Sequence, residues 1–434
     1  MKLPITLQNN GFLTVEIMIS ISLFVLFTIS IFSLNSSMYG INTWSLKELD
    51  MLNTSVHDMD SAILFSSSTK LFYGNNSTII KVSPFEIVKS DFQKGWGDSS
   101  CSTNIDFEIS SLQYFPNGIY LGSGNISTGI NSKNSIIYLT SDSPTQSQAD
   151  FFIINAEDFL NPYIISSLNT GPGLASLAIA GPYAYVANTS SLSQLQIIDI
   201  HDRNFPHIVS QLKLPLPNAS STPPRANSIF YRNGYVYLGT NKWDGAEFNI
   251  IDVSNPLNPI LISSFETNTL INDIYVYENF AFLATSDENQ MRIIDINNKN
   301  NIFLTHTFTA DGWQVQQGKV IAYFENVLAL GRTVGGINRI LNHEAFVFST
   351  SSDYKIKYSQ DIPGGVYGFL MRPPYNFLIS HTPSAEFQVW NSDFSLKLYE
   401  KSLGLKPVVI SCDSSNLFLA NGDEKGFSII KLNQ

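Results

Sequence analysis

One acidic residue, Glu16, lies inside an otherwise apolar run from Phe12 to about Leu34. An unpaired carboxylate in an apolar membrane helix costs on the order of 3 kcal/mol, and such groups usually have a function. Gly11 precedes the run, so cleavage after it would keep the helix and free the Phe12 amine. Glu16 would then lie in the first helical turn, where the helix dipole favours an anion and a neighbouring copy's Phe12 amine could neutralise it. The alternative is a simple N-terminal anchor whose Glu16 reaches the water among the headgroups.

Residue patterns that perform catalysis are missing from the sequence. The six histidines lack the HxH or HExxH spacing of a metal site. The sequence has no GxSxG elbow for a nucleophilic serine and no GxxxxGK loop for phosphate. The acidic pairs Asp287-Glu288 and Asp423-Glu424 lack the alternating oxygen ligands of a calcium loop and indicate solvated turns. We therefore expect a protein that is not an enzyme and has neither metal nor cofactor.

The chain has two cysteines, Cys101 and Cys412, which are far apart in sequence. Two isolated thiols without CxxC spacing argue against a zinc site or a thioredoxin-like motif. They could form one disulfide after export, or they could be two unrelated buried thiols, because sequence alone cannot place their Cα atoms within bonding distance.

Charge and composition narrow the classes of partner. The formal net charge is -11, from 25 basic and 36 acidic residues, and no Lys/Arg cluster could neutralise a row of phosphates. Nucleic acid is therefore not expected as the primary partner. Charged residues make up 14% of the 434 residues, below the roughly 25% of typical domains, so uncharged polar residues must cover much of the surface.

The element that must position Glu16 is a long N-terminal helix. About 20 apolar residues cross a hydrocarbon core of roughly 30 Å, and the run 12–34 is long enough. Beyond it, apolar residues continue at three- and four-residue steps with charges between them, which predicts one helix over 12–66. The small residue Gly11 stands before the apolar run, whereas a secretory signal has its cleavage site after one.

The order Gly11, Phe12, Leu13, Thr14, Val15, Glu16 resembles the type IV prepilin family, in which a short polar leader ends in glycine, Phe usually follows, and a glutamate comes four residues later. The resemblance covers about the first fifty residues. It implies that a membrane-embedded prepilin peptidase removes residues 1–11 and that the new terminal Phe12 is N-methylated. It also implies that Glu16 pairs with other pilin-like subunits, and that the helix sits in the inner membrane before assembly.

The rest of the chain is a repeat. Seven short apolar runs of similar type recur at intervals of 40 to 54 residues, each preceded by a second apolar run; their anchors are Ile154, Ile198, Ile251, Ile294, Phe348, Trp390 and Ile430. Each unit provides about four short strands separated by turn residues, which predicts a β-propeller of four-stranded blades. Seven blades fit best, with six or eight as alternatives. The last unit ends after its third strand, so we expect residues 106–115 to pair with it and close the ring.

The run Ile250–Asn255, IIDVSN, and the run Ile197–Asp202, IIDIHD, resemble the LVIVD repeats of certain bacterial propellers. Later units depart from this motif at the acidic position, where Ser349, Asn391 and Lys431 stand. The motif positions are typical of blade scaffold: the apolar pair fills the core between sheets, and the Asp or Asn caps the following turn. No functional residue can therefore be transferred through this resemblance.

The sequence thus predicts a mainly β protein: leader 1–11, helix 12–66 with its membrane span at 12–34, connector 67–104 and propeller 105–434. Our leading hypothesis is an exported pilin-like subunit, minor or at the tip, that displays a propeller on the extracytoplasmic side and binds an unknown surface ligand. A pseudopilin of a type II secretion or DNA-uptake system is the second hypothesis. A membrane-tethered propeller enzyme acting on glycans is the third, and it would need an acid/base pair at one mouth of the channel.

Overall fold

The computed structural model describes residues 69–72, 79–82, 85–88 and 112–432, the last range without 117, 144–146, 172, 217–222, 311–316, 325, 334–342, 373, 414–415 and 424. The chain divides into two compact units, Met1–Phe92 and Gln93–Gln434. The predicted leader and the helix 12–66, including the membrane span, lie outside the described residues. Within the described ranges, no helix has the length and apolarity needed to cross a membrane.

In the first unit, three short strands form one sheet: β1 (Thr69–Phe72), β2 (Ile79–Val82) and β3 (Phe85–Val88). The strand order is β1-β3-β2, with β3 parallel to β1 and antiparallel to β2. These strands fall in the segment 67–104, for which the sequence analysis predicts only a connector.

In the described part of the second unit, the strands form seven four-stranded antiparallel sheets, which confirms the predicted seven-bladed propeller. Blade 1 has β5–β8, and each of blades 2 to 6 has the next four strands in chain order. The strands are β5 (Ile126–Lys133), β6 (Ile136–Asp142), β7 (Phe151–Asn155), β8 (Tyr163–Leu168), β9 (Leu174–Ala180), β10 (Tyr183–Asn188), β11 (Leu195–Asp199), β12 (His207–Leu212), β13 (Ala226–Arg232), β14 (Tyr235–Thr240), β15 (Phe248–Asp252), β16 (Ile260–Phe265), β17 (Ile271–Tyr277), β18 (Phe280–Thr285), β19 (Met291–Asp295), β20 (Phe303–Phe308), β21 (Gly318–Phe324), β22 (Val327–Arg332), β23 (Ala345–Ser349), β24 (Lys355–Gln360), β25 (Val366–Arg372), β26 (Tyr375–Ser380), β27 (Phe387–Asn391) and β28 (Lys397–Lys401).

Blade 7 combines strands from both ends of the second unit. It contains β29 (Pro407–Asp413), β30 (Asn416–Asn421), β31 (Phe427–Lys431) and, as its outer strand, β4 (Gln113–Phe115). Ile429 pairs with Phe115 and Lys431 with Gln113 in an antiparallel register. The outer strand of the last blade thus comes from the end of the segment 106–115. The first strands of neighbouring blades contact each other in a closed ring around a central channel.

The paired isoleucines of the repeat build the core between blades. Successive side chains of a strand point to opposite faces of its sheet. Ile197 therefore packs with residues of blade 3, whereas Ile198 packs with residues of blade 1. Both side chains are fully buried. Because each blade is covered on both faces, its third strand needs two consecutive apolar residues rather than the alternating pattern of a half-exposed sheet.

One face of the propeller, which we call the turn face, is made of short uniform connections. Two-residue turns join the first and second strands, as at Asn233-Gly234, where both residues have positive φ angles, as a type I′ hairpin requires. Between the third and fourth strands, the predicted Asp or Asn cap is observed: the N–H of Ser254 donates to Asp252 Oδ1 at 2.9 Å. Equivalent bonds to Asn155, Asp199 and Asp295 occur in blades 1, 2 and 4.

The opposite face, which we call the loop face, has longer and more variable connections. Its connections join the outer strand of each blade to the first strand of the next blade, and the second strand of each blade to the third strand. The connections 213–225 and 333–344 hold the extra residues that lengthen the third and fifth repeats. The chain enters the propeller at β4, whose first residue lies on the turn face because β4 is antiparallel to β31. The loop face is therefore at the other end of the channel from this entry point.

Candidate binding site at the channel mouth

Each innermost strand contains a β-bulge near the loop face. In every blade the pairing register between the first and second strands shifts by one residue, at the second position of the inner strand in blades 2 to 7 and at the third position in blade 1. A bulge leaves its extra residue without a partner in the ladder and redirects its side chain. The seven bulged residues surround the channel mouth and all are half-buried. We call them the bulge ring: Thr128, Ala175, Asn227, Asn272, Lys319, Tyr367 and Val408.

The bulge ring is chemically uneven. Blades 3 to 6 contribute two amides, an ammonium and a phenol, whereas blades 7, 1 and 2 contribute small or apolar side chains. The amides are fixed by bonds to the next blade: Asn227 Nδ2 donates to the carbonyl of Ile271 at 2.9 Å, and Asn272 Nδ2 donates to that of Gly318 at 2.7 Å. Thr128 makes the same kind of bond to Leu174 at 2.6 Å. These bonds hold the mouth in one geometry.

Asp273 lies next to the ring and links blades 4 and 5. Its Oδ2 accepts the N–H of Ile321 at 2.9 Å, and its Oδ1 accepts the N–H of Ile274 at 2.9 Å. Burial raises the pKa of Asp273 to about 7, while these two bonds and the charge of Lys319 oppose the shift. Asp273 is thus partly protonated near neutral pH, with both oxygens already engaged.

Lys319 is the cation of the mouth. Burial lowers its pKa, and the nearby Asp273 charge raises it. Its charge also lowers the pKa of His381 of blade 6, so Lys319 interacts electrostatically with groups on both neighbouring blades. Within the described residues, Lys319 Nζ makes no hydrogen bond or ion pair. Arg292 of blade 4 is, by contrast, a paired cation: its guanidinium lies 2.6 Å from the Asp287 carboxylate.

Tyr367 and His381 form an aromatic pair on one side of the mouth. Their ring centroids are 3.6 Å apart and their planes 16° apart. His381 Nε2 lies 3.1 Å from the carbonyl oxygen of Pro407. Burial lowers the pKa of His381, and the charges of Lys406 and Lys319 lower it further, while the bond to Pro407 opposes them. Burial thus disfavours the charged form of His381, and its ring stacks on Tyr367.

Close backbone contacts position both Lys319 and His381. A Cβ on Gly318 would lie 1.9 Å from the carbonyl oxygen of Gln290, and one on Gly364 would lie 1.8 Å from the backbone nitrogen of Thr382. Only glycine fits at such distances. Gly318 lets the start of β21 approach blade 4, and Gly364 lets the loop carrying His381 approach the start of β25.

Beneath the loop face, six blades share a buried polar contact that the sequence analysis missed. The residue just before the third strand accepts the N–H of the second residue after the outer strand, as Glu247 Oε2 does from Thr267 at 2.8 Å. We call these six residues the clasp: Asp150, Gln194, Glu247, Gln290, Glu344 and Glu386. Burial raises the pKa of Asp150 to about 6 and that of Glu344 to about 7. An acid or amide directly before the apolar run of each unit was the available sequence signal.

The sequence analysis assigned roles to Gly11, Phe12, Glu16, Cys101 and Cys412. Gly11, Phe12 and Glu16 lie outside the described residues. Cys412 is buried and disulfide-bonded; Cys101 also lies outside the described residues, so its pairing with Cys412 stays a prediction. No group of three or more His, Cys, Asp or Glu able to hold a metal occurs in the described part of the chain.

The LVIVD repeat profile matches residues 174–212, 225–267 and 271–310, which are blades 2, 3 and 4 with parts of their connections. The chain contains LVIVD repeats. These three repeats retain the Asp after the apolar pair, at Asp199, Asp252 and Asp295. No curated protein matches the sequence.

Solved propellers resemble the structure at low sequence identity. The WD40 β-propeller domain of Doa1 has a TM-score of 0.54 and 10% identity, covering 74% of this chain and 98% of that chain. The structure of U3-55K has a TM-score of 0.54 and 11% identity, covering 75% and 100%. A protein from Lactobacillus plantarum has a TM-score of 0.52 and 12% identity, covering 65% and 86%. Similarity at this level shows the fold alone.

Proposed function

We propose that this protein is an exported pilin-like subunit, minor or at the tip of a type IV filament, that displays its LVIVD propeller for binding at the cell surface. One observation carries this proposal: Glu16 lies in an apolar run, five residues after Gly11. Apart from Lys2, it is the charged residue of the segment 1–34. A carboxylate at that position needs a partner cation, and the freed amine of a neighbouring subunit's Phe12 can supply it.

The architecture supports display as well. The chain enters the propeller at the turn face of blade 7, which leaves the bulge ring at the far end of the channel. A propeller of this size would crowd a uniformly packed filament, which favours a minor or terminal subunit. Removal of the leader by a prepilin peptidase and N-methylation of Phe12 belong to the same proposal.

Replacement of Glu16 tests the proposal. In Glu16→Ala the leader should still be removed, because cleavage occurs at Gly11, but incorporation into filaments should be lost because the Phe12 amine loses its partner. Processing is measured by the mass of the mature chain and incorporation by immunogold labelling of sheared filaments. Glu48→Ala, a charge change in the polar half of the predicted helix, is the control. Unchanged incorporation of the Glu16→Ala chain would contradict the proposal.

A further inference from the structure

Lys319 is the starting point, because its position is costly for a cation. Lys319 is half-buried, and desolvation of a charge that no hydrogen bond satisfies destabilises the folded state. At the same position the other blades carry neutral side chains. Within the described residues nothing bonds to the Lys319 ammonium, and both oxygens of nearby Asp273 accept backbone N–H groups. An anionic group that entered the mouth would offset the cost at Lys319.

The number of charges limits which anion fits. The ring offers one ammonium and no guanidinium, and the Asp273 carboxyl lies beside it. A phosphate with two negative charges is typically held by several cations or by an Arg fork, and the chain as a whole carries a net charge of -11. A single carboxylate therefore matches the mouth better than a phosphate or a nucleotide.

The rest of the polar half suits hydroxyl groups and a flat apolar face. The Nδ2 atoms of Asn227 and Asn272 donate to backbone carbonyls of the next blade, and within the described residues their Oδ1 atoms accept no hydrogen bond. The stacked pair of Tyr367 and His381 provides an aromatic surface. Binding sites with a few fixed polar groups around an aromatic surface combine orientation with buried area.

We propose that the bulge ring binds an acidic sugar, whose carboxylate pairs with Lys319, whose hydroxyls bond to Asn227 and Asn272, and whose ring packs against Tyr367 and His381. This inference rests on the proposed function, in which the propeller binds a ligand at the cell surface, and it names the chemical class of that ligand. A neutral sugar would leave the ammonium unpaired, and a small carboxylate such as acetate would leave the aromatic pair and the amides unused.

Calorimetry on the purified full chain in detergent tests this inference. The probes are a disaccharide of glucuronic acid and glucose, the matching disaccharide of two glucose units, and acetate. The acidic disaccharide should bind about tenfold or more tighter than the neutral one, since a hydrogen bond to a charged group contributes more than a neutral bond. Lys319→Gln should remove that preference, and Tyr367→Ala should weaken both sugars. Lys242→Gln, at an exposed lysine of the loop face, is the matched control.

Three results would overturn the inference: equal affinity for the two disaccharides, an unchanged preference in Lys319→Gln, or acetate binding as tightly as the acidic disaccharide. Absence of binding by the folded wild-type chain at millimolar concentration would do the same. Circular dichroism of each variant confirms folding. The measurement uses purified protein, so its failure is independent of leader processing and filament incorporation, which test the proposed function.

Discussion

The two faces of the propeller are made from the same strands but obey different rules. On the turn face, two-residue hairpins and Asp- or Asn-capped turns recur from blade to blade. On the loop face, connection lengths vary, and the bulge ring contains six different residue types in its seven positions. The repeat therefore specifies the scaffold, whereas side chains of different chemistry occupy equivalent positions at the mouth that the loops surround.

The first prediction concerns the loop face, where close backbone packing should give a substitution its largest effect on the free energy of unfolding. Gly364→Ala should lower the free energy of unfolding by about 2 kcal/mol, in the range of overpacking substitutions, because its Cβ would collide with the backbone of Thr382. It should also displace His381 from Tyr367. Urea unfolding followed by tryptophan fluorescence measures the first effect, and the histidine ring resonances measure the second.

Gly422→Ala is the control for that prediction, since its Cβ would lie 3.1 Å from the nearest atom, the carbonyl oxygen of Lys406. Its effect should be clearly smaller. A Gly364→Ala chain as stable as the wild type, with His381 unmoved, would show that the loop face does not depend on this contact.

The second prediction targets the turn face. Asp252→Ala should lower the free energy of unfolding by about 1 kcal/mol, because it removes the acceptor for the N–H and hydroxyl of Ser254. Asp252→Asn should cost less, since blade 1 has Asn155 in the same role. Neither change should alter ligand binding at the mouth. Loss of binding in a folded Asp252→Ala chain would break the separation of the two faces.

The third prediction concerns the clasp. Burial raises the pKa of Glu344 in the folded chain from its ordinary value of 4.5 to about 7. Its stabilising contribution is therefore fully present below about pH 4.5 and is lost as the pH rises through about 7. Glu344→Gln keeps an acceptor for the N–H of Ile362, as Gln194 and Gln290 do for their blades.

The variant should consequently lose less stability than the wild type between pH 5 and pH 8. Urea unfolding at both pH values measures the difference, and Asp150→Asn should act in the same direction because its folded pKa is also raised. An identical pH dependence in wild type and Glu344→Gln would contradict the assigned role of this carboxyl group.

The fold was predictable because the core signal is local. Each third strand needs two adjacent apolar residues, as at Ile250-Ile251, and most are followed by an Asp or Asn, so the repeat is visible in the sequence itself. The incomplete last unit likewise indicated that an earlier strand must finish the sheet, and β4 does so.

The mouth was not predictable in the same way. A bulge is a property of strand register, and residues as different as Ala175 and Lys319 occupy equivalent positions. Nothing in the local sequence marks them as neighbours around one channel. The clasp was missed for another reason: its members share only an acceptor oxygen, so Asp150, Gln194 and Glu247 do not stand out as one conserved type of residue along the chain.

The mass of the N-terminal peptide from the mature protein, isolated from cell envelopes, tests the central claim most directly. We expect a chain that begins at Phe12 with a methylated amine, since that terminus is the partner that Glu16 needs. A mature chain that still begins at Met1 would contradict it.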